Sequence, residues 1–498
     1  MESSVKPTVM LTAGQGVAFA VTLFIPVVLA RIFTPADFGA YKQLFLVYGT
    51  LANVLPFGLA ESLFYFLPGR AQSPGRYVAN SMLALTATGL VGLAAVQLAG
   101  PQISGAFRNP ELQRQSGLLG VFLLLMMVAA VLEITMVARG RFVTAAATYA
   151  GSDLLRGACL LIPAALVGSV EALMLGAVAF GLVRVAAAIT YAAALPGGLR
   201  PERSLFREQL AYALPFGLAV VLEIVQRNLT QYVVSIHFEP ATFAVYSVGL
   251  LQIPLIDALW ASAGNVLMVR LVTFQRSGET DKALQLWLDM TRRMGLLMLG
   301  TVAFLEVVAG DLIVVLFTPT YAASVPIFRV ACLAMLLGAL MTDAVLRVHA
   351  QTRFLTVVNA VRLAVTVIAL FVLLPSLQLP GAVLASLLAF AAGKVVSLAR
   401  LRTLLGVGVS GLVPWRPLAI TAVAATAAGA LTSLSVIELM STPLTRLAAS
   451  VLVFWLIYGV LAVVILPPGD RSALVAWLRR WTGGLAQEKP RSTPVVGR

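Results

Sequence analysis

Long apolar segments, separated by short polar connections, run along almost the whole of this 498-residue chain. A helix needs roughly 20 apolar residues to cross a bilayer, and fourteen segments reach or approach that length. The pattern therefore predicts an all-α polytopic membrane protein with about 14 transmembrane helices. We place the predicted spans near 9–31, 38–66, 77–99, 115–138, 143–167, 171–195, 209–236, 243–271, 291–309, 325–346, 354–374, 379–401, 417–437 and 445–466.

Composition and charge agree with this prediction and indicate an orientation. Hydrophobic residues make up 60% of the chain and charged residues 11%, with a mean hydropathy of +0.94, which is too apolar for a soluble protein of this size. The net charge of +14 does not indicate a nucleic-acid partner, because the basic residues lie in small groups between apolar segments. Alternate connections carry these groups, and basic connections face the cytoplasm. We therefore expect a cytoplasmic-membrane protein with both termini inside.

A nine-residue connection occurs twice and predicts an internal duplication. Phe-Thr-Pro-Ala-Asp-Phe-Gly-Ala-Tyr at 33–41 and Phe-Glu-Pro-Ala-Thr-Phe-Ala-Val-Tyr at 238–246 share the pattern Phe-x-Pro-Ala-x-Phe-x-x-Tyr. Each copy follows one apolar segment and opens the next, and six predicted crossings separate the two copies. The repeat is therefore parallel, with an axis along the membrane normal. In the first copy Thr34 is suited to cap a helix, with Pro35 at its first position and Asp37 at its third.

The duplication predicts two six-helix lobes followed by two additional helices. The apolar stretch at 310–321 either continues the ninth span or packs at the outer surface. Beyond the last span, an apolar stripe beside Arg479 and Arg480 indicates an amphipathic helix on the inner leaflet. The predicted organisation is an N-terminal lobe at 1–198, a cytoplasmic linker at 199–207, a C-terminal lobe at 208–403, two further spans at 404–468, and the amphipathic helix with a disordered tail at 469–498.

The seventh predicted span carries one polar face. Its members have the spacing i, i+3, i+4, i+7 and i+8 of a single helix face: Glu223, Gln226, Arg227, Thr230 and Gln231. A charged side chain at mid-membrane costs ~2.5–3.5 kcal/mol on insertion scales, so this face should meet protein or water. Two alternatives remain, a Glu223–Arg227 ion pair that locks helices together and a charged cavity wall that binds substrate.

Further intramembrane polar residues complete the set of candidate cavity residues. Asp153 and Arg156 lie on one face of the fifth span and are suited either to pair with each other or to line a cavity. The remaining candidates are partners for another helix or site residues: Asp257, Arg362, Lys42, Asn53, Gln15 in the first span, and Arg270 near a cytoplasmic end.

No pattern in the chain indicates catalysis, a metal or a cofactor. We find no metal-ligand spacing, nucleotide-binding glycine loop or Ser/His/Asp arrangement, and Cys159 and Cys332 lie inside apolar segments. The predicted outer loops are also short for a glycan polymerase or ligase. We therefore expect a protein that is not an enzyme.

Three motifs resemble those of polysaccharide and oligosaccharide exporters of the multidrug/oligosaccharidyl-lipid/polysaccharide (MOP) superfamily. The 33–41 connection resembles the segment after their first span. Leu-Phe-Thr-Pro-Thr-Tyr at 316–321 is similar to the Leu-Phe-Gly-x-x-Tyr before their tenth span, with Thr318 where Gly is usual. Leu-Pro-Gly-Ala-Val-Leu-Ala at 379–385 is similar to the start of their twelfth, with one Gly missing.

The resemblance implies two lobes around a central cavity and a polyprenyl-diphosphate-linked oligosaccharide as substrate. We therefore expect a flippase for cell-surface polysaccharide biosynthesis that works by alternating access. Its expected partners are the lipid-linked glycan, membrane lipids, a coupling H⁺ or Na⁺, and other polysaccharide-assembly proteins. A cation-coupled exporter of small molecules is the first alternative, and a membrane-embedded glycan polymerase or ligase is the second.

Overall fold

A computed structural model describes residues 21–68, 73–437 and 440–465, and the elements in these ranges are helical. Gln15 and the predicted tail at 469–498 lie outside the described residues. In chain order the helices are α1 (Val21–Ile32), α2 (Pro35–Val54), α3 (Leu63–Phe66), α4 (Pro74–Ala106), α5 (Pro110–Arg114), α6 (Ser116–Ala129), α7 (Val131–Ala138), α8 (Phe142–Val167), α9 (Val170–Ala193), α10 (Arg203–His237), α11 (Pro240–Gly249), α12 (Pro254–Arg276), α13 (Thr280–Phe317), a 3₁₀ turn (Pro319–Ser324), α14 (Val325–Cys332), α15 (Ala334–Gly338), α16 (Thr342–Val348), α17 (Thr352–Leu405), α18 (Val409–Leu412), α19 (Trp415–Ile437) and α20 (Pro443–Ile465).

Nine helical segments within the described ranges are long and apolar enough to cross a membrane. The chain is thus an all-α polytopic membrane protein, as predicted, while the total of 14 spans stays a prediction. α17 contains two predicted spans, and Gln378 between them adopts φ +52°, which marks the reversal of direction. The stretch at 310–317 continues α13, in agreement with one of the two alternatives for it.

Several predicted spans are interrupted where the sequence pattern suggested continuous helices. The predicted span at 38–66 is wrong as a single helix, because α2 ends at Val54 and turns lead from there to α3 at Leu63. The predicted span at 243–271 is wrong as a single helix, because α11 ends at Gly249 and α12 begins at Pro254. Proline lacks an N–H and favours the first turn of a helix, so Pro254 suits the start of α12. The predicted span at 325–346 is broken between Gly338 and Thr342, which separates α15 from α16.

The two copies of the repeated connection pack against each other at one end of the molecule, which we call the motif end (residues 33–41 and 238–246). Thr34 caps α2 as predicted, since its Oγ1 accepts a hydrogen bond from the Asp37 N–H at 3.2 Å. A Cβ on Gly39 would collide with the Pro240 carbonyl. Glycine therefore allows α2 and α11 to approach this closely, and the contact joins the N-terminal half (α1–α9) to the C-terminal half (α10–α17).

Thr318 occupies a backbone conformation that glycine adopts far more easily. Its φ is +78° and its ψ is +161°, a region that only glycine enters without strain. Thr318 is the residue that stands where the resembled exporters have Gly. The sharp turn between α13 and the 3₁₀ turn explains in physical terms why glycine suits this position.

The connection between the halves lies at the opposite end, which we call the linker end (residues 195–202). Arg76 forms an ion pair with Glu202 at 2.6 Å, and the Asn80 side chain exchanges two hydrogen bonds with the Glu202 backbone. Hydrogen bonds from Ser204 and Arg76 hold the pKa of Glu202 below its ordinary value. Helix α10 begins at Arg203, inside the predicted linker at 199–207, and the boundaries of the predicted lobes remain predictions.

The last two helices pack on α13. The Tyr458 hydroxyl donates a hydrogen bond to the Leu296 carbonyl at 2.5 Å, and Arg446 forms an ion pair with Asp311 at 2.9 Å. Phe454 is fully buried with Ala425 and Ala428 between these helices. The pair α19–α20 is therefore attached to the C-terminal half.

Candidate substrate cavity

A cavity of about 500 Å³ lies between the two halves, below the motif end. Side chains from α1 and α2 line one wall, and α10 lines the other. The break between α11 and α12 supplies the remaining wall, so that non-helical backbone opens onto the cavity. The lining residues are Thr22, Leu23, Pro26, Lys42, Arg227, Gln231, Phe243, Ser247, Val248, Leu250, Leu251, Gln252 and Phe317.

Two of the predicted charged residues reach this cavity from opposite halves. Lys42 is half-buried on α2, with its Nζ 5.5 Å from the centre of the Phe38 ring and 5.6 Å from that of Tyr41, where ring quadrupoles stabilise a cation. Arg227 is exposed on α10, and Gln231 lies one helical turn away. No carboxylate occurs among the lining residues that the structure describes. The cavity is therefore cationic and also provides amide and hydroxyl groups.

The structure does not show the Glu223–Arg227 ion pair that their spacing suggested. Within the described residues, no ion pair joins the two side chains, and both are exposed. Glu223 instead interacts electrostatically with Arg362 on α17. Side chains four residues apart on a helix are neighbours, but here Arg227 lines the cavity together with Gln231 and Lys42. The choice between an ion pair and a cavity wall for these two residues stays open beyond this conformation.

Asp153 and Arg156 on α8 do form a pair, at 2.8 Å. Arg156 also donates a hydrogen bond to the Thr22 hydroxyl at 2.8 Å, and Thr22 lines the cavity. The two side chains thus pair with each other and lie one hydrogen bond away from the cavity wall, while their role in substrate binding stays a prediction.

The other candidate residues lie away from the described cavity lining. Asn53 donates within its own helix to the Gly49 carbonyl at 2.7 Å. Gln226 is half-buried, while Asp257 and Arg270 are exposed on α12. Arg362 stacks on Phe390, 5.2 Å from the ring centre. A substrate role for these residues stays a prediction.

Sequence reasoning missed a buried ion pair in the N-terminal half. Glu133 on α7 and Arg184 on α9 are 4% and 9% exposed, and Arg184 donates to both carboxylate oxygens, with Nη2–Oε2 at 2.8 Å. Arg184 also donates to the Ser152 hydroxyl at 2.8 Å. Each residue is an isolated charge inside a predicted span, and that alone could have indicated that they meet.

Lys394 on α17 is a second missed residue. It is 4% exposed, and its Nζ donates to the Leu340 carbonyl at 2.7 Å and to the Thr342 hydroxyl at 3.3 Å. These acceptors lie at the break between α15 and α16, which no sequence pattern had indicated.

A family model described as polysaccharide biosynthesis protein matches residues 28–326, more than half of the chain. The chain belongs to this family. No curated protein sequence matches it at a significant level.

Several solved structures have a fold similar to that of this chain. A structure described as lipid II flippase MurJ in an inward closed conformation matches with a TM-score of 0.74 and 11% identity, over 92% of this chain and 98% of that chain. An inward-facing multidrug resistance MATE family transporter of the MOP superfamily matches with a TM-score of 0.59 and 14% identity, over 78% and 94%. An outward-facing MATE transporter gives a TM-score of 0.55 and 15% identity, over 80% and 96%. The family match and this shared fold confirm the resemblance to the MOP superfamily.

Proposed function

We propose that this member of the polysaccharide biosynthesis protein family is a flippase in the cytoplasmic membrane, with both termini in the cytoplasm. It moves the polar head group of a polyprenyl-diphosphate-linked oligosaccharide from the inner to the outer leaflet. The observation that carries the proposal is the cavity between the halves, which holds Lys42 and Arg227 and no described carboxylate. Such a cavity attracts a diphosphate and disfavours a cationic drug.

Each group in the cavity has a role in this proposal. Arg227 binds phosphate oxygens with its forked donors, while Lys42 contributes a second positive charge from the other half. The amides of Gln231 and Gln252 and the hydroxyl of Ser247 bind the hydroxyl groups of the first sugars. The lipid tail stays in the bilayer beside the two halves.

Contacts between the halves close the motif end in the described conformation. At the motif end Arg31 of α1 donates to the Val315 carbonyl and, at 3.3 Å, to the Leu316 carbonyl of α13, and Gly39 packs on Pro240. These contacts join the two halves above the cavity. Rocking of the halves that breaks them, with closure at the linker end, gives alternating access.

Transport by the purified chain in proteoliposomes tests this function. We expect the wild type to move a fluorescent polyprenyl-diphosphate oligosaccharide between leaflets, as measured by quenching with an impermeant reductant. The double variant Lys42→Ala/Arg227→Ala should flip at least about tenfold more slowly, equivalent to ~1.4 kcal/mol. Arg276→Ala is the matched control, since it removes a cation from an exposed position at the end of α12.

Two results would contradict the proposal. One is a double variant that flips the glycolipid at the wild-type rate. The other is a wild type that leaves the glycolipid in place and moves a small cationic dye in exchange for H⁺ or Na⁺, which would support the small-molecule exporter. Elongation of the glycan without movement between leaflets would support the polymerase alternative.

A further inference from the structure

Lys394 lies among oxygen atoms at a helix break in the C-terminal half. Its Nζ donates to the Leu340 carbonyl at 2.7 Å and to Thr342 Oγ1 at 3.3 Å, and lies 3.9 Å from Asp343 Oδ1. The Leu340 carbonyl is outside a regular helix because the chain between α15 and α16 is unwound. Backbone carbonyls at unwound transmembrane helices coordinate Na⁺, and carboxylate oxygens are further ligands that hard cations prefer.

Charged groups of both signs surround this position. Lys394 interacts electrostatically with Asp343 and Arg362, and Arg362 interacts with Asp343 and Glu223. Arg347 lines the same cavity as Lys394 and Asp343. The oxygen atoms around the Lys394 ammonium, and not a count of charges, therefore indicate a cation site.

The position is also accessible from outside the protein. A cavity of about 220 Å³ reaches both Lys394 and the half-exposed Asp343, with Trp260 and Asn265 on its other side. The Lys394 side chain itself is buried, and its Nζ lies 5.2 Å from the centre of the Phe390 ring. Burial of an ammonium group is unfavourable unless its donors find partners.

We propose that the Lys394 ammonium is a tethered cation that permanently fills an oxygen-lined cation site at the α15–α16 break. Removal of the ammonium turns this place into a Na⁺ site. In the natural chain the C-terminal half therefore carries its own positive charge here, and no dissolved cation binds. This inference does not depend on the proposed substrate.

The test is the thermal stability of the purified full-length chain in NaCl compared with choline chloride at equal ionic strength. We expect the wild type to melt at the same temperature in both salts. Lys394→Ala should melt several degrees lower in choline and regain about 2 °C when Na⁺ is roughly tenfold above its Kd. The double variant Lys394→Ala/Thr342→Val lacks one oxygen ligand and should lose the Na⁺ effect.

Two controls separate this site from general salt effects. Lys394→Met replaces the ammonium with an apolar side chain of similar length, and Na⁺ should not restore its stability. Lys282→Ala removes a lysine whose side chain is 61% exposed, and the two salts should affect it equally.

Na⁺ that stabilises Lys394→Ala no more than choline would overturn the proposal. If Lys394→Ala does not accumulate, a comparison of the wild type with the single variant Thr342→Val still tests the proposal. A Na⁺-specific stabilisation of the wild type that Thr342→Val abolishes would show a bound metal ion in place of the ammonium, whereas equal melting in both salts supports the tethered cation.

Discussion

The two halves of the chain share the pattern of one nine-residue connection, and both contain ion pairs, such as Glu133–Arg184 in the first half and Glu306–Arg329 in the second. The instructive contrast is between the buried Glu133–Arg184 pair and Arg227 at the cavity. In the N-terminal half Glu133 pairs with Arg184 inside the helix bundle, and the Asp153–Arg156 pair is within one helix. In the C-terminal half Arg227 faces the cavity without an ion pair to Glu223 among the described residues.

This difference indicates that charged residues in predicted spans have two roles, one in holding helices together and one in binding an anion. A charge pair satisfied inside a bundle holds helices in place, because removal of one partner leaves a buried charge behind. A cation that faces a cavity without a carboxylate can bind an anion instead. Lys42 is the exception in the N-terminal half, since it reaches the cavity from α2.

The largest expected effect is on the stability of the N-terminal half. Glu133→Ala should lower the free energy of unfolding by about 3–5 kcal/mol, because Arg184 is left buried and unpaired. Denaturant or thermal unfolding of the purified chain measures it. Glu111→Ala is the matched control, since its partner Arg114 has a 72% exposed side chain and such pairs contribute less than about 1 kcal/mol. Equal losses in the two variants would show that burial gives the Glu133–Arg184 pair no special role in stability.

A charge inversion tests the other side of the comparison. Glu223→Arg combined with Arg227→Glu breaks no ion pair between these two residues, but it should lower the melting temperature slightly, because an arginine at position 223 repels Arg362. It should lower glycolipid flipping about tenfold or more, ~1.4 kcal/mol, because the cavity loses its guanidinium and gains a carboxylate. Arg227→Lys, which keeps the charge without the fork, should lie between the wild type and the inverted variant. Normal flipping by the inverted protein would exclude Arg227 from substrate binding.

A smaller effect is expected at Thr318, where the turn after α13 has φ +78°. Thr318→Gly should raise the free energy of unfolding by about 1–2 kcal/mol, the relief of backbone strain less the extra entropy of glycine in the unfolded chain. Thr320→Gly is the control within the same turn, where no positive φ occurs. An unchanged or lower melting temperature for Thr318→Gly would show that the conformation is not strained.

The smallest expected effect compares the two copies of the connection directly. Thr34 caps α2 through its side chain, whereas Glu239 makes no side-chain cap bond to α11. Thr34→Ala should therefore cost about 1 kcal/mol and Glu239→Ala almost nothing. Thermal melting of both variants measures the difference, and equal values would mean that the first copy gains nothing from its cap.

Much of the fold follows from local patterns in the chain. Apolar length determines which segments are helices in the bilayer, and the cap at Thr34 and Pro35 is a contact between neighbouring residues. The breaks after Val54, at Pro254 and near Leu340 were missed because they lie within long apolar runs, where hydropathy alone does not distinguish a continuous helix from two short ones. Pro56 and Pro254 were visible signals for the first two breaks, and the third has none.

The sequence by itself determined the class of protein, the repeated connection, and the presence of Arg227 and Gln231 on one face of one helix. Only the tertiary structure decided that Lys42 joins them from the other half, that Glu133 meets Arg184, and that Lys394 reaches Leu340. The residues of the last two contacts are 51 and 54 positions apart in the chain. Helical periodicity relates only positions within a few turns of one helix. Which charges are paired and which face a cavity depends on how separate helices pack, and that information is spread over the whole chain.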